Sequence, residues 1–267
     1  TIIVTRYEDL SVEVEDFGRG CPVDYNEKEK RYNWELVFCE MYAGGKYDNN
    51  SSAGLYEFSL GLNGLGLCAT QYASEWMEAE VFKDGFQYNI KFKKGKPSGK
   101  LKKEEFSGRK TGTRIAWKPD LEVFTDIDIP LEYFQDILRR QAIVNNGLKF
   151  ILRNQIKEGT TPSCFETYEY VYENGITDYL KENVEEQAFT GVQFWNTETS
   201  GRDRADQEDY KVVINAAVCF SNKVQMKEYY HNSSWLEYGG APEKAVRSAF
   251  VSQIDAYLKN NNKYQKN

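Results

Sequence analysis

Apolar residues recur along the chain with two periods, and the switches between them divide it into strands and helices. Thr1-Ile2-Ile3-Val4-Thr5 reads as a strand already under way, which leads to the expectation that further sequence precedes it. Ser11-Val12-Glu13-Val14-Glu15-Asp16 alternates with period two and joins the first strand as a hairpin through Tyr7-Glu8-Asp9. Trp34, Val37, Phe38 and Met41 fall at helical spacing in a helix that ends before Gly44-Gly45. A glycine- and asparagine-rich stretch from Ala43 to Gly66 shows little periodicity. The next helix starts near Gly64 and sets Leu65, Cys68, Ala69, Tyr72 and Trp76 on one face. Glu78 to Lys83 and Phe86 to Phe92 form a hairpin closed by Asp84-Gly85, a dipeptide that accepts the positive φ angles of a two-residue turn. A strand from Thr113 to Trp117 follows, then a helix marked by Leu131, Phe134, Leu138 and Ala142, then a strand from Leu148 to Leu152.

Glu158 to Ser163 reads as a loop, and a domain boundary is expected near Asn174-Gly175. This divides the chain into domains of residues 1–174 and 175–267. The second opens with a short helix, Ile176 to Lys181, and a strand, Gly191 to Trp195. A charged turn from Ser200 to Asp209 leads into a long strand, Lys211 to Phe220. A final helix begins at Ala241-Pro242-Glu243, with proline in its first turn, and carries Val246, Ala249, Phe250, Ile254, Tyr257 and Leu258 as an apolar stripe. There is no internal repeat. Helices and strands mix without regular βαβ alternation, which gives the fold class as α+β.

Composition removes several function classes. No apolar run approaches the roughly 18 residues of a membrane-spanning helix, so the expectation is a cytoplasmic chain with no membrane partner. The five cysteines, Cys21, Cys39, Cys68, Cys164 and Cys219, are scattered without a C-x-x-C pair and read as small buried hydrophobes. The one histidine, His231, cannot build a histidine zinc site or a supported catalytic triad. A net charge of −7 argues against a domain that grips nucleic acid unaided. The exception is the lysine-rich stretch from Lys91 to Lys103, which reads first as a solvated hairpin edge where lysines discourage strand addition, and second as a passing contact with DNA.

Chemistry is visible in two places. In Asp16-Phe17-Gly18-Arg19-Gly20-Cys21-Pro22-Val23, alternation puts Asp16 on the apolar face with Val12 and Val14. A carboxylate there must find donors. Gly18 and Gly20 allow the backbone to approach a flat ligand, and a purine amino group is a fitting donor; amides of the turn are the alternative. The second place is Gly44-Gly45-Lys46 followed by Ser59-Leu60-Gly61-Leu62-Asn63-Gly64-Leu65-Gly66. Spaced glycines and the start of a helix present backbone N–H groups to an anion such as a phosphate. It is neither a P-loop nor a Rossmann turn.

A D-x-G-x-G turn, a Gly-Gly-Lys loop and a glycine-spaced helix start, in that order, resemble the Bergerat ATP-binding fold of the GHKL superfamily. Within it, the closest likeness is to the B subunits of bacterial type IIA DNA topoisomerases, gyrase and topoisomerase IV. The likeness extends to Tyr42-Ala43-Gly44-Gly45-Lys46-Tyr47, to Thr111-Gly112-Thr113 with Trp117-Lys118-Pro119-Asp120, and to Val144-Asn145-Asn146-Gly147. It covers residues 1–175 and continues more thinly in Gly175-Ile176 and Cys219-Phe220-Ser221-Asn222. Phe17 stands where that family has Asp or Asn, Leu60 where it has glycine, and Asn63 and Tyr42 where it has histidine.

The resemblance implies a Bergerat sandwich lacking its N-terminal part, followed by a ribosomal-protein-S5-like transducer domain. It implies ATP and Mg2+ as ligands. Asp16 would accept from the adenine amino group with Thr113 nearby, where alternation also turns Thr113 inward with Ile115 and Trp117. Gly18, Gly20 and Pro22 would line the adenine. Gly44, Gly45 and Lys46, with Ser59, Gly61, Leu62, Asn63, Gly64, Leu65 and Gly66, would hold the phosphates beneath a lid, Tyr47 to Ser59. The family's general-base glutamate, its magnesium-binding asparagine and its sensor lysine are expected outside the chain, so no catalytic or metal-binding residue is assigned within it and the fragment alone is expected not to turn over ATP. Implied partners are the topoisomerase's other subunit (its A chain type), DNA through the whole enzyme, and a second ATPase domain on ATP binding. The alternatives are a MutL-like ATPase and a non-catalytic GHKL nucleotide-binding module.

Overall fold

The computed structural model describes residues 1–43, 65–156, 164–202, 204–206 and 209–264. Strand β1 (Ile2–Arg6) pairs antiparallel with β2 (Val12–Asp16), Val4 facing Val14. Their connection is tight because Leu10 takes a φ of 68° and donates its N–H to the Tyr7 carbonyl at 3.0 Å. A small hairpin of β3 (Tyr25–Asn26) and β4 (Arg31–Tyr32) leads into α1 (Asn33–Cys39). Beyond the undescribed segment come α2 (Gly66–Tyr72), β5 (Ser74–Lys83), β6 (Phe86–Lys93), β7 (Lys96–Pro97), β8 (Lys102–Glu105) and β9 (Gly112–Pro119). Then follow α3 (Leu131–Val144), β10 (Phe150–Ile156) and β11 (Cys164–Tyr170).

These strands form one sheet in the order β11-β10-β1-β2-β9-β5-β6-β7, with β8 also paired to β6. Only β1 and β10 run parallel. The Asp84-Gly85 turn behaves as its sequence demands: φ is 54° and 77°, and Lys83 faces Phe86 across it.

Period-two alternation gives the sheet two unlike faces. Met77, Ala79, Val81, Tyr88, Ile90 and Phe92 lie under Phe38 and Val23; Val4, Val12, Phe150 and Leu152 lie under Leu138 and Ala142 of α3. Trp117 touches both clusters and joins them. Phe38 is fully buried, and removing such a ring from water contributes on the order of 1.5–3 kcal/mol. The opposite face is polar. There Arg114 bridges Glu13 at 2.6 Å and Glu80 at 3.0 Å, and Lys110 meets Glu15 at 2.7 Å.

The C-terminal part holds α4 (Ile176–Val184), a 3-10 turn (Glu185–Gln187), the hairpin of β12 (Gln193–Gly201) and β13 (Tyr210–Val218), the small hairpin of β14 (Tyr230–His231) and β15 (Ser234–Trp235), and α5 (Gly240–Asn260). It meets α3 through named contacts. Arg139 reaches Glu182 at 3.2 Å, the Gln141 amide donates to the Ser233 carbonyl at 2.8 Å, and the Arg140 guanidinium lies 3.7 Å from the Trp235 ring centroid.

Several expectations are corrected. The helix expected to carry Trp76 stops at Tyr72, because the Ser74 hydroxyl and the Ala73 N–H turn back onto the carbonyls of Thr70 and Ala69; Trp76 belongs to β5. Helix α1 ends at Cys39 and leaves Met41 exposed beyond it. Of the cysteines only Cys68 is buried; Cys164 is exposed and the others lie between. The stripe on α5 forms its helix, yet none of its residues is buried. Strand β11 was not anticipated. Its alternation is real, but glutamate and threonine on its outward face mask it. The expected loop at Glu158 to Ser163 lies outside the described residues.

Candidate functional site

The site begins at the end of β2. Val12 and Val14 point into the core under α3, and alternation sends Asp16 to the same face, half-buried at the strand's end. β2 pairs with β9 as Val12 to Trp117, Val14 to Ile115 and Glu15 to Arg114. One further step of that register sets Asp16 opposite Thr113. Sequence reading brought these two residues to one site, and the sheet makes them cross-strand neighbours.

Three backbone features fix the pair. The Gly18 N–H donates to Asp16 Oδ1 at 2.8 Å, the Asx-type turn that a short carboxylate forms two residues ahead. Among the described residues it is the only donor to that side chain, so Oδ2 remains to accept another bond. The chain then doubles back, and the Cys21 N–H donates to Thr113 Oγ1 at 2.9 Å, which orients a buried hydroxyl. Gly20, with φ of 83°, passes so close to β5 that a Cβ there would stand 2.9 Å from the Phe82 carbonyl. Pro22 is exposed, whereas Val23 enters the core and anchors the end of the turn.

Gly112 was read only as part of a motif and proves to be structural. Its φ is 130°, and a Cβ would lie 2.1 Å from the Asp16 carbonyl oxygen. Only glycine lets β9 start against the backbone of the carboxylate it faces. The signal was present as Thr111-Gly112-Thr113, but a contact with residue 16 cannot be read from sequence. Beside the turn, Asp24 accepts from Lys83 Nζ at 3.3 Å. Burial opposes ionisation there, but its own backbone N–H and Lys83 outweigh it and hold the carboxyl below its ordinary range.

Leu65 and Gly66 open α2, which packs beside α1 on the same side of the sheet as Asp16, with Leu67 against the core cluster. Gly44, Gly45, Lys46, Ser59, Gly61, Leu62, Asn63 and Gly64, with the expected lid, lie outside the described residues. Among the described residues no group of histidine, cysteine or carboxylate side chains is arranged to hold a metal.

Residues 175–267 match the family model for DNA gyrase B. The B subunit of a DNA topoisomerase 4 from Francisella tularensis is 29% identical over 269 residues, covering 100% of this chain and 40% of that protein. The B subunit of a DNA gyrase from Thermotoga maritima is 36% identical over 182 residues, covering 67% of this chain and 26% of that protein. The chain belongs to the gyrase and topoisomerase IV B-subunit family. In fold it matches the 43K ATPase domain of Thermus thermophilus gyrase B, solved with an aminocoumarin, at a TM-score of 0.71 and 22% identity; the match covers 100% of this chain and 64% of that one. This gyrase-family chain spans no more than 40% of the length of the two full-length relatives. No helix among the described residues is long and apolar enough to cross a membrane. Phe17, at the family's acidic position, is exposed beside the turn rather than packed into it.

Proposed function

We propose that this chain is the ATP-binding and transducer region of a cytoplasmic type II DNA topoisomerase of the gyrase or topoisomerase IV kind. The observation that carries the reading is the Asp16–Thr113 pair. It is a half-buried carboxylate with one oxygen engaged and one available, set across from an oriented hydroxyl where Gly20 and Gly112 bring the backbone in close. Asp16 accepts a hydrogen bond from the exocyclic amine of adenine, and the Gly18 N–H holds the carboxylate in its rotamer. Thr113, fixed by the Cys21 N–H, keeps its hydroxyl proton for the base or for a water beside it. Residues 1–174 form the nucleotide unit and 175–267 the transducer. The contacts of α3 with the β14–β15 hairpin and α4 form the physical link between them.

Bound ATP with Mg2+ supplies a triphosphate whose cleavage can drive a change of state. The glycine-rich segment before α2, with Lys46, is the proposed phosphate grip. The other subunit of the topoisomerase, duplex DNA and a second copy of the ATPase region are the proposed partners in the whole enzyme. The test is calorimetric titration of a non-hydrolysable ATP analogue into the chain and into Asp16→Ala. Loss of a charge-assisted hydrogen bond costs about 1.5–3 kcal/mol, enough to erase measurable binding of a weak ligand. Unchanged affinity in Asp16→Ala rejects the adenine assignment.

A further inference from the structure

The polar face of the sheet ends in a corner of uncompensated positive charge. Residues 91–103 contain seven lysines and no carboxylate, in a chain whose net charge is −7. Register places four of them on one face. Along β6, Lys91 and Lys93 alternate with the buried Ile90 and Phe92 and so point away from the core. Lys96 of β7 is the direct partner of Lys93, and Lys102 of β8 is the direct partner of Asn89, which shares their face. Lys91 and Lys93 are about 7 Å apart along the strand. All four are exposed. Lys91 meets Glu78 at 3.1 Å, whereas Lys93, Lys96 and Lys102 have no carboxylate partner among the described residues.

This crowding is built in. Lys94 and Gly95, with φ of 46° and 75°, form the two-residue turn that pins Lys93 opposite Lys96. The turn is braced from behind, where a Cβ on Gly95 would stand 2.9 Å from the Tyr72 ring of α2. Like charges held directly opposite each other in a sheet are destabilising, and an external polyanion removes that repulsion. Solubility or edge protection needs lysines scattered along the edge, not gathered on one face.

We propose that Lys91, Lys93, Lys96 and Lys102 form a binding surface for the phosphate backbone of duplex DNA. The choice of DNA rests on the proposed function, in which the enzyme handles duplexes, and on the match between a row of fixed cations and a continuous line of phosphates. Such binding is sequence-independent and governed by counterion release.

The test is anisotropy titration of a labelled duplex with the 267-residue chain across salt, compared with a Lys91→Gln, Lys93→Gln, Lys96→Gln, Lys102→Gln variant. Four phosphate contacts give a log–log salt slope of about −3.6, a loss of roughly 100-fold in affinity between about 50 and 200 mM salt. The glutamine variant is expected to lose most of that slope, and the matching Lys→Arg variant to keep it. Nucleotide affinity, measured in parallel, stays unchanged in both. An equal slope in the glutamine variant overturns the proposal. So does lysine-dependent binding to polyglutamate or phosphatidylserine vesicles without binding to DNA. Asp16→Ala leaves the slope intact, so failure of the nucleotide reading and failure of this surface give different patterns.

Discussion

Gly112 shows what one missing side chain decides. With φ of 130° and the Asp16 carbonyl where a Cβ would go, Gly112→Ala must move either β9 or the end of β2. The expected cost is about 1–3 kcal/mol of strain, read as a lower urea midpoint, together with weaker nucleotide binding because Asp16 is displaced. An unchanged midpoint contradicts the close approach. Cys39 offers a second residue-scale check. Burial first, then Cys68 and Glu35, push its thiol up to about 11. At pH 8 it holds little thiolate, so iodoacetamide is expected to label the exposed Cys164 well before Cys39. At this scale the sequence was informative for Asp16 and Thr113, whose inward placement follows from alternation alone. It was silent on Gly112 and on the Cys21–Thr113 bond, which depend on where the chain returns after residue 18.

Among elements, those with a strong period were legible: β1, β2, β5, β6, β9 and α3 all lie close to where the apolar pattern puts them. The failures share a cause. Trp76 fits a helical stripe and a strand equally well, and tertiary context decided for β5 through the turn after Tyr72. β11 has glutamate and threonine on its solvent face at the sheet edge, so its hydrophobic signal is half-strength. The link between α4 and the β14–β15 hairpin was equally hidden, since it is made of polar and aromatic side chains far apart in sequence. It carries a pH signature. Burial and then Glu228, which accepts from the phenol at 2.9 Å, raise Tyr179 from 10.0 up to about 12, and Tyr230 is raised in the same direction by burial and by Glu228. The unfolded chain therefore releases these protons first. The contribution to stability is complete below pH 10 and is lost as pH climbs through about 12. Denaturant midpoints are expected to fall across that window, and Tyr179→Phe to remove part of the fall. An identical fall in the variant rejects the assignment.

For the whole molecule, the α+β class and the family were both readable from the sequence, because short turns with exacting backbone demands leave fixed residues behind. The exposed stripe of α5 and the open β12–β13 hairpin were not, because amphipathic spacing reports that a face is apolar without reporting what covers it. Net charge misled in a similar way, averaging an acidic chain with a lysine corner that only register could assemble. The account stands or falls on recognition of the adenine amine by Asp16. The direct measurement compares ATP with inosine triphosphate, which carries a carbonyl where adenine carries that amine, in the wild-type chain and in Asp16→Asn. A charge-assisted bond worth about 1.5–3 kcal/mol predicts that the wild type favours ATP by roughly 10- to 150-fold, and that asparagine, able to donate to the carbonyl, abolishes the preference. Equal affinity for the two nucleotides in the wild type, or a preference that survives in Asp16→Asn, contradicts it.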